Sequence, residues 1–359
     1  MDDVTLGSDV LAQIARESAL DHGVVRFPRD RVVEELRKLY GLSGELNRIP
    51  TEKDDTFRLT TNSGRFLVKI APASEDANIV NLQSAVMRHL ERTAADIPAQ
   101  RLIRGLHHQL ESPVVDLDGR TRIMRVLSYL EGDLLASSTP DSSQLQRVGT
   151  MLARIDSALA DCRHPYESRL LIWDLKNFVH MKPLLEFVAD RDDETMAAWV
   201  FDQFETHVAP HIGALDMQMI HGDFSPFNVV VDPTSDDFVT GVIDFGDVVY
   251  SPVLFELSVA VANHVGVEQR HPWASSMDIL RGYRSVRPLD DDIVRLLAIT
   301  GPARLLLRAL IVGWRSTVDP QSRDYGLSHS ARDWARLRSA LSISKSTVEA
   351  MLSTTGTPA

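Results

Sequence analysis

The chain has a single cysteine, Cys162, in 359 residues. No internal disulfide can form, and no paired thiolates are available for zinc. There is no Gly-x-x-x-x-Gly-Lys segment and no Gly-x-Gly-x-x-Gly run, which excludes the P-loop and glycine-fingerprint phosphate cradles. A long uncharged apolar stretch is also missing: the most apolar region, 296–314, is interrupted by Arg304 and Arg308. The opening Met1-Asp2-Asp3-Val4 lacks the basic and then apolar run of an export signal. Together these absences predict a protein of the reducing cytoplasm without a membrane partner. Positive charge is in deficit, with 38 Lys and Arg against 50 Asp and Glu and a net charge of -12. A nucleic-acid backbone would be repelled, and a cationic small molecule is the more natural ligand.

What is present is enough apolar material for a sizeable core, 44% of residues, in a chain longer than one average domain. The pattern reads as α+β, without internal repeats. Residues 1–27 form a weakly patterned lead with a short helix at about 9–20. Pro28 then opens a helical run carrying Val32, Leu36 and Tyr40, which Gly41 stops. Short strands follow at 56–60 and 65–70 around the turn-rich Thr61-Asn62-Ser63-Gly64, then a helix at 77–92 and a hairpin across Asp118-Gly119. The chain is expected to divide into a small lobe at 28–127, a crossing at 128–132 and a large, mostly helical lobe at 133–359. In the large lobe, helices are predicted at 141–160, 196–209, 293–314 and 331–351, with disorder at 353–359.

The most informative feature is His221-Gly222-Asp223, followed by Asn228 and then Ile243-Asp244-Phe245-Gly246-Asp247. HGD-x4-N lies between apolar runs, and DFGD ends another, which reads as strand, turn, strand. Asp223 supplies a carboxylate that can sit beside an acceptor hydroxyl. Asn228 and Asp244 supply the hard oxygens that Mg²⁺ prefers. This set suits the transfer of a phosphoryl group from a nucleotide to a hydroxyl, where charge spreads over oxygens and metal must offset it. His221 is expected to brace the loop rather than to react.

At these residues the chain resembles the aminoglycoside phosphotransferase and choline kinase superfamily, with its HGDxxxxN loop and downstream metal motif. The likeness extends through Arg48-Ile49-Pro50, Phe66-Leu67-Val68-Lys69-Ile70, Leu171-Ile172-Trp173-Asp174 and Phe255-Glu256, and is strongest toward the hydroxylysine kinases. It covers most of residues 30–345. The resemblance implies a two-lobed, protein-kinase-like fold with a small antiparallel β-sheet lobe and a nucleotide between the lobes. It also implies Mg²⁺ with ATP or GTP, and a small hydroxylated amine or amino acid as acceptor, 5-hydroxylysine before homoserine, choline, ethanolamine or an aminoglycoside.

On the nucleotide side, the resemblance makes Lys69 the lysine that holds the α- and β-phosphates. The helical position that normally carries its acidic partner holds Gln83, so either Gln83 orients Lys69 or Glu75 or Asp76 substitutes. That departure is the one feature favouring a kinase-shaped binding module without turnover. In the turn 51–56, Thr56 and backbone amides would meet phosphate, while Asp54 and Asp55 cap the turn. Ser128, Tyr129 and Leu130 either offer backbone groups to a purine edge or form an ordinary strand exit.

On the acceptor side, Trp173 and Asp174 either hold an ammonium group or serve as core residue and helix cap. Asp247 and Glu256 add negative charge near the metal motif, and Glu256 alternatively ties down the catalytic loop. Arg304 sits in an apolar helix and must be paired. It either binds a substrate carboxylate or neutralises Asp247 or Glu256.

Overall fold

The computed structural model describes residues 9–18, 26–51, 53–268, 271–318 and 323–356. Its smaller lobe is a five-stranded antiparallel sheet built from β1 (Glu45–Ile49), β2 (Asp55–Thr61), β3 (Gly64–Ile70), β4 (Ser112–Val115) and β5 (Thr121–Ser128), in the order β1-β2-β3-β5-β4. The turn at residues 61–64 sets the register between β2 and β3, pairing Thr61 with Gly64 and Thr56 with Lys69. Two helices precede this sheet, α1 (Asp9–Glu17) and α2 (Arg29–Tyr40), and a third, α3 (Ala77–Thr93), follows β3. α2 presents Val32, Leu36 and Tyr40, four residues apart, to a core shared with Phe57, Val68 and Val126. Gly41 ends it in the left-handed region at φ 67°.

α1 and the third helix pack on the other side. Leu11 and Ile14 of α1, and Leu82, Val86 and Leu90 of α3, are buried in the core of the larger lobe. The hydroxyl of Ser18, just past α1, accepts a 2.8 Å hydrogen bond from Ile172 N–H.

β5 ends at Ser128, and β6 (Asp133–Leu134) already pairs with the larger lobe, so the chain leaves one sheet and joins another across residues 129–132. The larger lobe holds α4 (Ser142–Leu159), α5 (Arg191–His207), β7 (Met217–Ile220), β8 (Val229–Val231), β9 (Val239–Val242), β10 (Val249–Pro252) and α6 (Val253–His264). It continues with α7 (Ala274–Val286), α8 (Asp291–Arg295), α9 (Leu297–Val318), α10 (Arg323–Leu341) and α11 (Lys345–Ser353). α4 and α7 approach through reciprocal glycines: a Cβ on Gly149 would lie 1.8 Å from the Ile279 carbonyl oxygen, and one on Gly282 1.8 Å from that of Gln146.

Several sequence expectations are corrected here. The strands expected on either side of the HGD loop are present as β7 and β8, but they do not pair with each other. β7 pairs with β10, whereas β8 pairs with β6 and β9, so the loop passes between two sheets. The helix expected from 196 starts at Arg191 because Asp190 caps it, accepting the amides of Asp192 and Asp193. The helix expected at 293–314 is divided at Leu296, and that at 331–351 is broken before Ser344, which caps α11. The expected disorder from 353 gives way to a helical turn with Thr355 buried, and 357–359 lie outside the described residues. One helical stretch, Asp291–Thr317, is apolar and long enough to cross a membrane, but 78% of its most apolar window is buried in the protein.

Candidate active site

β7 delivers His221 to the centre of the larger lobe, wholly buried. Its Nε2 faces the Ile243 carbonyl at 3.1 Å and its Nδ1 faces the Asp223 amide at 3.3 Å. Two such partners assign Nε2–H as donor and Nδ1 as acceptor, the neutral tautomer, and burial lowers the ring's pKa to match. Behind the loop, the Gly222 amide donates to Glu256 Oε2 at 2.8 Å. Glu256 is 0% exposed. A group with no surface cannot meet a substrate, so its place as an acceptor contact is withdrawn; it tethers the loop.

Gly222 has φ 80°, and a Cβ there would stand 2.2 Å from the Asp247 carbonyl oxygen. Only glycine permits both the conformation and this approach. The HGD and DFGD segments are thereby pressed together, with Phe245 packed 4.8 Å from the His221 ring.

Asp223 and Asn228 meet directly. The Asn228 side-chain amide donates to the Asp223 carboxylate at 2.6 Å and to its carbonyl at 2.9 Å. Burial, with Asp247 adding to it and Arg304 opposing, pushes the Asp223 carboxyl up to about 6. On the adjoining strand, Ile243 N–H donates to the Asn228 carbonyl at 2.9 Å, which brings Asp244 alongside. Asp244 adopts the left-handed region at φ 61°, ψ 77°, rare for a residue with a side chain. Its amide is fixed by Gln100 at 3.0 Å, and its Oδ1 accepts from Gly246 N–H at 3.2 Å.

Lys69 reaches this point from β3 of the other lobe, with Nζ 2.9 Å from Asp244 Oδ1 and 3.1 Å from Asp54 Oδ2. Burial alone would lower the lysine's pKa, but Asp244 and Asp54 outweigh it and the net shift is upward. Asp244 is held below the usual carboxylate range chiefly by Lys69.

The acidic partner of Lys69 within its own lobe is therefore Asp54, and none of Gln83, Glu75 or Asp76. Gln83 accepts from Arg125 at 2.7 Å and donates to the Gly246 carbonyl at 3.2 Å. Glu75 pairs with Lys53, and Asp76 caps α3. The sequence held the signal: once 61–64 is the turn, Thr56 faces Lys69, and Asp54 lies two residues before it on the same side. Asp55 also does more than cap: it accepts the Phe27 amide at 2.6 Å and pairs with Arg48 at 2.9 Å. Thr56 shares a row with Lys69 and Arg125, but it is buried and its hydroxyl lies 3.4 Å from that of Thr51.

At the crossing, the Ser128 hydroxyl accepts the Arg101 amide at 2.9 Å, and sheet pairing ends with that residue. The peptide groups of Tyr129 and Leu130 lie beyond the ladder. Arg65 sits over the Tyr129 ring at 5.1 Å.

Next to Gly222 is a small pocket walled by Leu171, Trp173, Ile220 and Val249, into which Arg304 projects from α9. Its guanidinium lies 5.6 Å from the centre of the Trp173 ring. Asp174 also borders this pocket, but its carboxylate accepts from Lys176 N–H at 3.0 Å and from the Ser251 hydroxyl at 2.8 Å. It caps the helical segment Leu175–Phe187, and the ammonium-holding role is withdrawn for it.

The oxygens left open suit a hard divalent cation. The Asn228 amide nitrogen faces Asp223, which turns its oxygen the other way, and the Asp244 side chain is 46% exposed with Oδ1 alone engaged.

The profile of the phosphotransferase enzyme family matches residues 45–289. The hydroxylysine kinase of Xenopus laevis is 24% identical over 94% of this chain and 96% of its own length. That of Danio rerio is 25% identical over 85% of the chain and 90% of its own length. Among solved structures, a microcompartment-associated aminopropanol kinase superposes with a TM-score of 0.67 at 16% identity, covering 87% of this chain and 98% of its own. An amicoumacin kinase in complex with AMP-PNP and Ca²⁺ gives 0.64 at 14%, covering 87% and 93%.

Proposed function

Because the chain belongs to the phosphotransferase enzyme family and is a small-molecule kinase of that superfamily, we propose that it phosphorylates the hydroxyl of an amino acid or amino alcohol. ATP or GTP is the donor, and 5-hydroxylysine is the first-choice acceptor. The observation that carries the reading is the gathering of Asp223, Asn228, Asp244 and Lys69, from two lobes, into one chain of contacts. The choice of hydroxylysine is supported by the relatives of that name, which align over nearly the whole chain.

In this reading Asp223 stands beside the acceptor hydroxyl. As the acceptor oxygen bonds to the γ-phosphorus and the bond to the β-phosphate oxygen breaks, the hydroxyl proton passes to the Asp223 carboxylate. Mg²⁺, when bound, would supply the positive charge that offsets what gathers on the phosphate oxygens. Asn228 Oδ1 and the Asp244 carboxylate would hold it. Lys69 exchanges its hold on Asp244 for the α- and β-phosphates while Asp54 keeps its ammonium in place. Glu256 and His221 keep Asp223 oriented by fixing the amides of Gly222 and of Asp223 itself.

The test is nucleoside diphosphate release from ATP and from GTP, measured against a panel of hydroxylated amines and amino acids. Acceptor-dependent release is expected, and Asp223→Asn should lower it by about 10²- to 10⁴-fold while nucleotide binding persists. Release that ignores every acceptor, or an unchanged rate in the variant, overturns the reading.

A further inference from the structure

Arg304 is 6% exposed, and its Nε and Nη1 are buried without a hydrogen-bond acceptor. Four residues on, one turn along α9, Arg308 shows what a structural arginine looks like in the same helix. It is bound at 2.6 and 2.5 Å to the two oxygens of Asp333 and at 2.7 Å to Asn263. Arg304 has no such ion pair. The charges that act on it most are Asp223, then Arg308, then Asp247, and neither carboxylate hydrogen-bonds to it. A buried guanidinium left in this state costs folding free energy unless something else completes it. What it lies against is the face of Trp173, which steadies the cation without using its in-plane donors. Those donors border the pocket beside Gly222, next to the residue placed at the acceptor hydroxyl.

Planar donors at the end of a mostly apolar pocket, whose bordering Asp174 carboxylate is engaged by Lys176 and Ser251, match a carboxylate, which takes a guanidinium in a bidentate fork. We propose that Arg304 binds the carboxylate of the acceptor, so that the acceptor is a hydroxylated α-amino acid and not an amino alcohol or an aminosugar. This rests on the kinase reading above and narrows it. Leu171, Ile220 and Val249 form the walls that exclude water and strengthen the pair.

The experiment uses matched acceptors that differ only by the carboxylate: 5-hydroxylysine against 1,5-diaminopentan-2-ol, and homoserine against 3-aminopropan-1-ol. The full-length protein should favour the carboxylated member of whichever pair it accepts by at least about a hundredfold in kcat/KM. In Arg304→Gln that ratio should fall to within about tenfold, through a raised KM for the amino acid, and Arg304→Lys should recover part of it. Equal use of both members by the unaltered protein, or an unchanged ratio in Arg304→Gln, overturns the proposal and leaves the kinase reading standing. Failure of every acceptor in a protein that binds nucleotide overturns both. If nucleotide fails to raise the Tm of Arg304→Gln, showing that the variant has not folded, calorimetric binding of the two members of each pair to the unaltered protein decides. A hundredfold preference for the amino acid supports the proposal, and equal affinities reject it.

Discussion

At the scale of single residues, the site is defined by a substitution of partners. Lys69 takes its acid from the strand-entering turn, at Asp54, instead of from α3, and the helical position is filled by a neutral Gln83 that binds Arg125. Asp54 is held below the usual carboxylate range although burial opposes this, because Lys69 and Arg125 both favour its charge. Asp54→Asn should therefore raise the KM for nucleotide by about ten- to a hundredfold, the loss of one charge-assisted bond of ~1.5–3 kcal/mol, with a smaller change in kcat. Steady-state kinetics at saturating acceptor check this, and an unaffected nucleotide KM would return the anchoring role to another group. Asp54 was legible in the sequence only through the register of its hairpin. Its local signature, two acids in a polar turn, reads equally well as capping.

At the scale of elements, regular segments were readable where one physical signal dominated. α2 was bounded by Pro28 and Gly41, and β2 and β3 by their turn, because those residues fix backbone angles whatever surrounds them. Breaks inside long apolar helices were not readable. Nothing local distinguishes Leu296, where α8 ends, from its apolar neighbours, and the division is imposed by packing. The pairing of β7 with β10, 29 residues apart at Ile220 and Val249, was likewise hidden, since strand patterns name faces but not partners. The α4–α7 contact offers a direct test of packing. Gly282→Ala would drive a methyl group into the Gln146 carbonyl, and Tm should fall by roughly 5 °C or more. A Tm within a degree of the parent would mean that the two helices separate at little cost.

At the scale of the whole molecule, the larger lobe encloses carboxyl groups away from solvent. Asp156 on α4 is fully buried and accepts the Tyr283 hydroxyl at 2.7 Å, and burial pushes its carboxyl up to about 7, opposed by Tyr283 and Arg287. A carboxyl raised in the folded state holds a proton that the unfolded chain has already released. Its contribution to stability is complete below about pH 4 and is lost as pH rises toward 7. Asp156→Asn, which keeps the hydroxyl's acceptor, should melt a few degrees above the parent at pH 8 and close to it at pH 4.5. Scanning calorimetry at the two pH values reads the difference, and equal offsets at both would show that Asp156 does not titrate in this range. The clasp between Gly222 and Asp247 has a consequence of its own. Since no atom can be inserted there, the HGD and DFGD segments travel as one block, and opening the lobes would part Lys69 from Asp244. New acceptor preferences would then have to arise by remodelling the wall formed by α9 and the Trp173 loop, leaving the reacting block untouched.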